Sequence, residues 1–210
     1  MNCPIRIVKR DAQKVSEWSG GTTTELAIYP EGADYKTRNF KWRLSSARVD
    51  VEESTFTSLP GIWRLIMIID GEMLLEHENH HRASLKPFEQ DSFSGSWTTL
   101  SKGKAKDFNL MLAEGCEGEI KAIEVDRSGV EEVINPVSSV KYSRSFEAVY
   151  CVKGGADIEA GINGDYALEE GDLLLIEMQN FNTGMELKLL SNRENEANII
   201  RASIRVLHEA

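Results

Sequence analysis

Trp63-Arg-Leu-Ile-Met-Ile-Ile-Asp-Gly-Glu-Met-Leu-Leu-Glu76 reads as two strands joined by a tight turn. Residues 63 to 69 form a dense apolar run of strand length. Asp70-Gly71 is a strong hairpin signal, because glycine accepts the backbone angles such a turn requires. Residues 72 to 76 then read as the return strand. The order recurs downstream. An apolar run at 148 to 152 leads into Lys153-Gly154, a second hairpin, Leu168 and then Gly171-Asp172. Gly71 to Leu85 and Gly154 to Leu168 span the same distance in sequence. The closing strands correspond as well, Asp-Phe-Asn-Leu-Met-Leu at 107 to 112 with Ala-Asn-Ile-Ile-Arg-Ala at 197 to 202. Internal duplication of a small β unit accounts for the length.

On either side of this hairpin every element is short and strand-like. Residues 4 to 9 make a first strand, and 11 to 17 a polar connection. Leu26 to Tyr29 is a strand ended by a turn at 30 to 34, where Pro30, Gly32 and Asp34 hold favoured roles. Residues 40 to 49 alternate, with Trp42, Leu44 and Ser46 on one face and Arg43, Ser45 and Ala47 on the other. Residues 85 to 88, 92 to 97 and 107 to 112 are further strands. Turn signals recur every eight to twelve residues, the spacing of a sandwich or barrel. Glu131 to Ile134 is read as a single helical turn at most. The class is all-β. A hairpin, then Leu-x-x-Gly-Asp, then an apolar strand resembles a cupin half, so the expectation is a bicupin of two jelly-roll barrels. The expected division is 1–115 for the N-terminal half, 116–140 for a connecting segment and 141–210 for the C-terminal half.

Composition narrows the functions. The chain of 210 residues carries a formal net charge of -10, which repels phosphate backbones and argues against nucleic acid. No stretch approaches the roughly 18 consecutive apolar residues of a membrane helix. Cys3, Cys116 and Cys151 are odd in number and widely spaced, which argues against a disulfide framework or zinc knuckle and for free thiols in the cytoplasm.

Chemistry is sparse. The cupin metal signature runs glycine, five residues, His-x-His, then Glu and a later His. Gly71 and His77 begin it, but Asn79 stands at the second histidine. His77, His80 and His81 read as a hairpin tip whose side chains diverge into solvent, so a metal-free, cofactor-free barrel is expected. No nucleophile elbow, Walker loop or dinucleotide fingerprint is present. What remains are polar residues at strand positions. Trp18-Ser-Gly-Gly-Thr-Thr-Thr-Glu-Leu26 joins an aromatic, two glycines, three hydroxyls and an acid, with Thr23 and Glu25 sharing one face. Arg43 and Ser45 share a face, as do Asp107 and Asn109. Arg64 lies inside an apolar strand, where a guanidinium must be paired or line a pocket. Each of these taken alone also fits a surface salt bridge, and Glu25 could pair with Arg43 or Arg64 with no ligand involved.

An ordered series carries a resemblance. Trp-Ser-Gly-Gly-Thr-Thr-Thr-Glu-Leu at 18 to 26 is followed by Phe-x-Trp-Arg-Leu-Ser-Ser-Ala at 40 to 47, Leu-Pro-Gly at 59 to 61 and Asp-Gly-Glu at 70 to 72. Leu-x-Pro-Phe at 85 to 88, Phe-x-Gly at 93 to 95 and Asp-Phe-Asn-Leu-Met at 107 to 111 complete it. Together they resemble the HutD/Ves family, over about residues 15 to 112. The family pattern Trp-x-Asn-Gly-Gly-Gly-x-Thr-x-Glu is shortened here. Its Asn and one Gly are missing, while Gly20, Gly21, Thr23 and Glu25 still match.

The resemblance implies a bicupin with a small-molecule pocket in its N-terminal half and no attached enzymatic activity. It implies a small carboxylate ligand, such as formate or a formylated amino acid like formylglutamate, tied to histidine breakdown. The expected pocket is Trp18, Thr23, Glu25, Trp42, Arg43, Ser45, Arg64 and Asn109, with the arginines holding the carboxylate and the tryptophans walling it. Two other readings stand beside it. One is an isomerase or epimerase with Glu25 as general base. The other is a homodimeric scaffold in which the N-terminal strand exchanges between subunits.

Overall fold

A computed structural model gives the structure; it describes residues 4–135, 140–178, 184–194 and 196–208. Cys3 lies outside them. Nineteen strands follow one another among the described residues, with two short 3-10 turns and no α-helix. The first are β1 (Ile5–Val8), β2 (Lys14–Trp18), β3 (Gly21–Tyr29), β4 (Trp42–Val49), β5 (Glu53–Thr55) and β6 (Ile62–Gly71). Then come β7 (Met73–His77), β8 (Arg82–Leu85), β9 (Gln90–Ser94), β10 (Thr99–Lys102) and β11 (Ala105–Ala113). The second half holds β12 (Cys116–Val125), β13 (Val130–Ile134), β14 (Tyr142–Lys153), β15 (Gly155–Glu159) and β16 (Asp165–Glu169). It closes with β17 (Leu173–Met178), β18 (Met185–Ser191) and β19 (Ala197–Leu207).

The fold is a bicupin. Two compact units divide the chain, one of residues 13–116 and one of 1–12 with 117–210. In the first, a large sheet of order β2-β3-β4-β11-β6-β9 faces a small sheet of order β5-β10-β7-β8. In the second, the large sheet runs β1-β17-β14-β19-β12 and the small one β13-β18-β15-β16. Strands β4 to β11 and β12 to β19 therefore repeat one eight-stranded pattern. Gly71 and Gly154 take φ of 79° and 85°, the angles that glycine alone adopts cheaply.

Inward alternation fills each barrel. Ile66, Ile68, Met73, Leu75, Leu85 and Phe93 form one buried cluster of the first unit. Ile158, Leu168, Leu174, Ile176, Leu187 and Ile199 belong to that of the second. Each such side chain removed from water contributes roughly 1.5–3 kcal/mol.

Several local expectations change. Residues 116–140, expected as a connection, carry β12 and β13, the first two strands of the second barrel. Glu131 to Ile134 is strand, not helical turn. Glu132 and Ile134 face inward and buried, while Glu131 and Val133 are exposed. The polar connection at 11 to 17 contains β2, a fully exposed strand paired along β3. The strand expected at 92 to 97 stops at Ser94, where Trp97 N donates to Ser94 O at 3.0 Å in a tight turn. The first strand forms where it is expected, as β1, and pairs antiparallel with β17, Ile5 opposite Ile176 and Ile7 opposite Leu174. No described helix is long and apolar enough to cross a membrane.

Candidate anion-binding site

The register of the first unit's large sheet builds the site. Cross-strand partners point to the same face of a sheet. Glu25 stands opposite Ser45, Ser45 opposite Asn109, and Asn109 opposite Ile66. One pair along, Arg43, Met111, Arg64 and Phe93 form a parallel row. On the other side lie Thr23, Ala47, Asp107 and Ile68. Ile66, Ile68 and Phe93 belong to the buried cluster, so this is the barrel's inner face.

Two guanidiniums therefore project into one apolar interior. Arg43 is 4% exposed; its Nε donates to Glu25 Oε2 at 2.8 Å, and its guanidinium lies 4.5 Å from the Tyr35 ring centre. Arg64 is also 4% exposed and lies between aromatic rings, 4.4 Å from that of Phe56 and 5.3 Å from that of Phe93. Ring faces attract a cation but accept no N–H bond in the plane of the guanidinium. Arg64 Nε and Asn109 Oδ1 have no hydrogen-bond partner among the described residues. Buried polar atoms of native proteins are nearly always satisfied, so these two are the atoms of the inner face with hydrogen-bonding capacity to offer.

Asp107 is the counter-charge. It is 2% exposed, and Ala47 N donates to its Oδ1 at 3.4 Å. Burial pushes its carboxyl up to about 7, against the opposing pull of Arg64 and the Ala47 N–H. Burial likewise lowers Arg64 to about 10, which leaves it charged at neutral pH. Arg43 is neutralised by Glu25, whereas Arg64 faces an acid that is only partly ionised near neutrality. The interior thus has an excess of positive charge with free donors, which suits a small anion.

The expected residues separate into groups. Glu25, Arg43, Ser45, Arg64 and Asn109 share the inner face, and Thr23 lies along the same face at its edge. Trp42 does not join them. It is fully buried on the opposite face, stacked on Tyr29 at 5.8 Å and 12°. Trp18 is 38% exposed at the end of β2, its ring lying against Gly20. The aromatic walls are instead Tyr35, Phe56 and Phe93. Tyr35 and Phe56 lie in irregular segments without periodicity, so alternation could not mark them.

The histidines depart from expectation. His77 is 4% exposed, not solvated. Its Nδ1 is 2.8 Å from Thr99 Oγ1 and its Nε2 is 2.9 Å from Asp91 Oδ2; His81 Nε2 is 3.0 Å from Asp91. Strand β7 ends at His77, so Asn79, exposed at φ 60° in the tip, does not continue its face. The usual cupin ligand set is therefore not assembled here. Both described cysteines are free, and burial pushes Cys116 up to about 11 and Cys151 up to about 12, which makes them poor nucleophiles.

The second unit shows the contrast. Arg201 Nε donates to Glu147 and Nη1 to Glu132, both at 2.8 Å, while Ser203 Oγ donates to Glu147 at 2.7 Å. That guanidinium is occupied by its own chain.

Comparison with known proteins agrees with this architecture. The HutD family profile matches residues 10–196, most of the chain. The chain belongs to the HutD family. Among solved structures it is similar to a conserved protein of unknown function from Pseudomonas aeruginosa PAO1, with TM-score 0.78 and 21% identity over 96% of this chain and 98% of that one. It is similar to HutD from Pseudomonas fluorescens SBW25, solved in a formate condition, with TM-score 0.68 and 19% identity over 98% and 100%. It is also similar to vicilin from Solanum melongena, which has different anionic ligands in structurally similar pockets, with TM-score 0.64 and 9% identity over 96% and 85%. At these identities the solved structures share a fold with this HutD-family chain; the family profile supplies its membership.

Proposed function

We propose that this HutD-family protein binds a small carboxylate, formate or a formylated amino acid such as formylglutamate, inside its N-terminal barrel. The observation that carries the reading is Arg64, a buried guanidinium with an unpartnered Nε, on the same inner face as the unpartnered Asn109 oxygen diagonally across β6 and β11. A carboxylate would take the arginine donors, and the amide N–H of a formylated amino acid would donate to Asn109 Oδ1, a bond formate does not offer. The formate condition of the Pseudomonas fluorescens protein and the anionic ligands of vicilin agree in kind. The role is that of a binding protein that senses or sequesters a metabolite of histidine utilisation or stress, and the free thiols fit a cytoplasmic setting.

Calorimetry of the purified chain with formate, acetate and formylglutamate tests this. Arg64→Met is expected to weaken binding ten- to hundredfold, since a hydrogen bond to a charged group contributes about 1.5–3 kcal/mol. Unchanged affinity in the variant, or no carboxylate bound by the native chain, would sink the proposal.

A second reading has one specific observation in its favour. A buried carboxyl near 7 is suited to proton abstraction. That base would be Asp107. Glu25 is already engaged by Arg43. Turnover of a bound carboxylate that disappears in Asp107→Asn, with binding retained, would move the assignment to an enzyme.

A further inference from the structure

His77, His81 and Asp91 converge where the β7–β8 hairpin turns over β9, and neither the family nor the anion pocket accounts for them. One nitrogen from each imidazole and a carboxylate oxygen all lie within 4.8 Å of one another. We infer that these three side chains form a binding site for a divalent transition-metal ion of the zinc type, with a coordination position left open to solvent. Two imidazoles and one carboxylate are the donor set of open zinc and related sites, and they disfavour magnesium and calcium, which prefer all-oxygen shells.

The geometry needs little adjustment. Bonds of about 2.0–2.2 Å in a tetrahedral arrangement place ligand atoms roughly 3.3–3.6 Å apart. The two His–Asp separations of 2.9 and 3.0 Å would open by a few tenths of an ångström around an ion. The groups are already oriented. His77 has Thr99 Oγ1 at 2.8 Å from Nδ1, the partner that fixes a ligating ring and leaves Nε2 for the metal. His77 N donates to His81 O at 2.9 Å and His80 N donates to His77 O at 3.0 Å, which holds the tip in one shape. Side-chain exposure rises across the site, from 0% for His77 and 14% for Asp91 to 42% for His81. An open cleft of about 640 Å³, lined by His77, His80, His81, Glu76, Glu78 and Thr98, adjoins the site. It has room for water or a ligand atom in the open position.

His80 is excluded from the shell. Its ring stacks on Trp97 at 3.7 Å and 14°. The set also differs from the sequence signature that begins at Gly71. It takes its second histidine from across the hairpin and its acid from β9, which is why Asn79 does not break it.

The competing description is a carboxylate hydrogen-bonded to two Nε2–H groups with no ion. Cobalt(II) separates the two. With the full chain freed of any affinity tag, Co²⁺ is expected to give visible ligand-field absorption saturating at one ion per chain, and Zn²⁺ to displace it. His81→Ala and Asp91→Asn are each expected to weaken binding at least tenfold, as removal of a ligand should. His80→Ala is expected to bind as the native chain does. His81 is exposed, so its removal leaves the core packing intact. Absence of the absorption overturns the inference, as does a one-to-one complex that survives both ligand variants or a preference for Mg²⁺ or Ca²⁺. The outcome is independent of carboxylate binding at Arg64.

Discussion

Asp107 and Arg64 carry opposite charges into one apolar interior, and burial works against both. For Asp107 burial wins, raising the carboxyl from 3.8 to about 7. The folded protein then keeps a proton that the unfolded chain releases near pH 4. The stabilisation this brings is complete below the unfolded value and is lost as pH rises through about 7. The full window corresponds to roughly 4 kcal/mol. Asp107→Asn has nearly the same shape and cannot ionise. Between pH 5 and pH 8 the native chain is expected to lose urea resistance relative to this variant; parallel pH profiles would show that the buried acid does not titrate in that range. The same proton should set the affinity of the proposed carboxylate. A carboxylate beside Arg64 favours the neutral acid, so its apparent dissociation constant is expected to rise about tenfold from pH 6 to pH 8, as the protonated fraction falls. In Asp107→Asn the constant should stay flat.

Among elements, the β2–β3 hairpin shows why the glycine pair of the sequence motif was readable and why other parts were not. A Cβ on Gly20 would lie 2.1 Å from the Trp18 ring. On Gly21, at φ 153°, it would lie 1.9 Å from Arg48 O of the neighbouring strand. Both glycines therefore serve close approach, the use their sequence suggested. Gly21→Ala is expected to destabilise by about 2 kcal/mol or more, through backbone strain and a displaced β4. Gly32 is the control: at φ 83° with nothing within 4 Å of its Cβ, alanine there should cost only about 1 kcal/mol. Equal melting temperatures for the two variants would remove the close-approach argument. Period-two alternation likewise made β4 and β11 legible, and with them Arg43, Ser45 and Asn109. It also placed Trp42 on the other face, so Trp42 as a pocket wall was at odds with its own strand. β12 was hidden because small residues, Gly118 and Ala122, hold partly buried positions where larger apolar side chains would mark the period. The pairing of β1 with β17 has no local signal at all. The histidine cluster depends on a hairpin tip that folds back at Asn79, so spacing alone scattered what the turn brings together.

For the whole molecule, duplication has given two barrels the same strand order and opposite electrostatic solutions. In the C-terminal unit Arg201 is held by Glu147, Glu132 and the Val133 carbonyl, and Ser203 completes Glu147. Burial raises Glu147, the bonds from Arg201 and Ser203 opposing it. In the N-terminal unit Arg64 has aromatic faces and a partly protonated acid, with a donor to spare. The first arrangement has its polar contacts from its own chain, and the second leaves Arg64 Nε without one among the described residues. Removing the same residue type should therefore have opposite consequences in the two barrels. Arg201→Met leaves Glu147 without its paired cation, while Glu132 keeps Lys121 at 2.7 Å, and is expected to cost about 3 kcal/mol, less at low pH where Glu147 takes a proton. Carboxylate affinity in the N-terminal barrel should not change. Arg64→Met removes a charge that burial already opposes, so it should cost about 1 kcal/mol or less, or even stabilise, while carboxylate binding weakens ten- to hundredfold. Denaturant midpoints and calorimetric titrations of both variants read the two quantities separately. A greater loss of stability in Arg64→Met than in Arg201→Met would mean that the N-terminal arginine is structural, and the anion pocket would lose its main support.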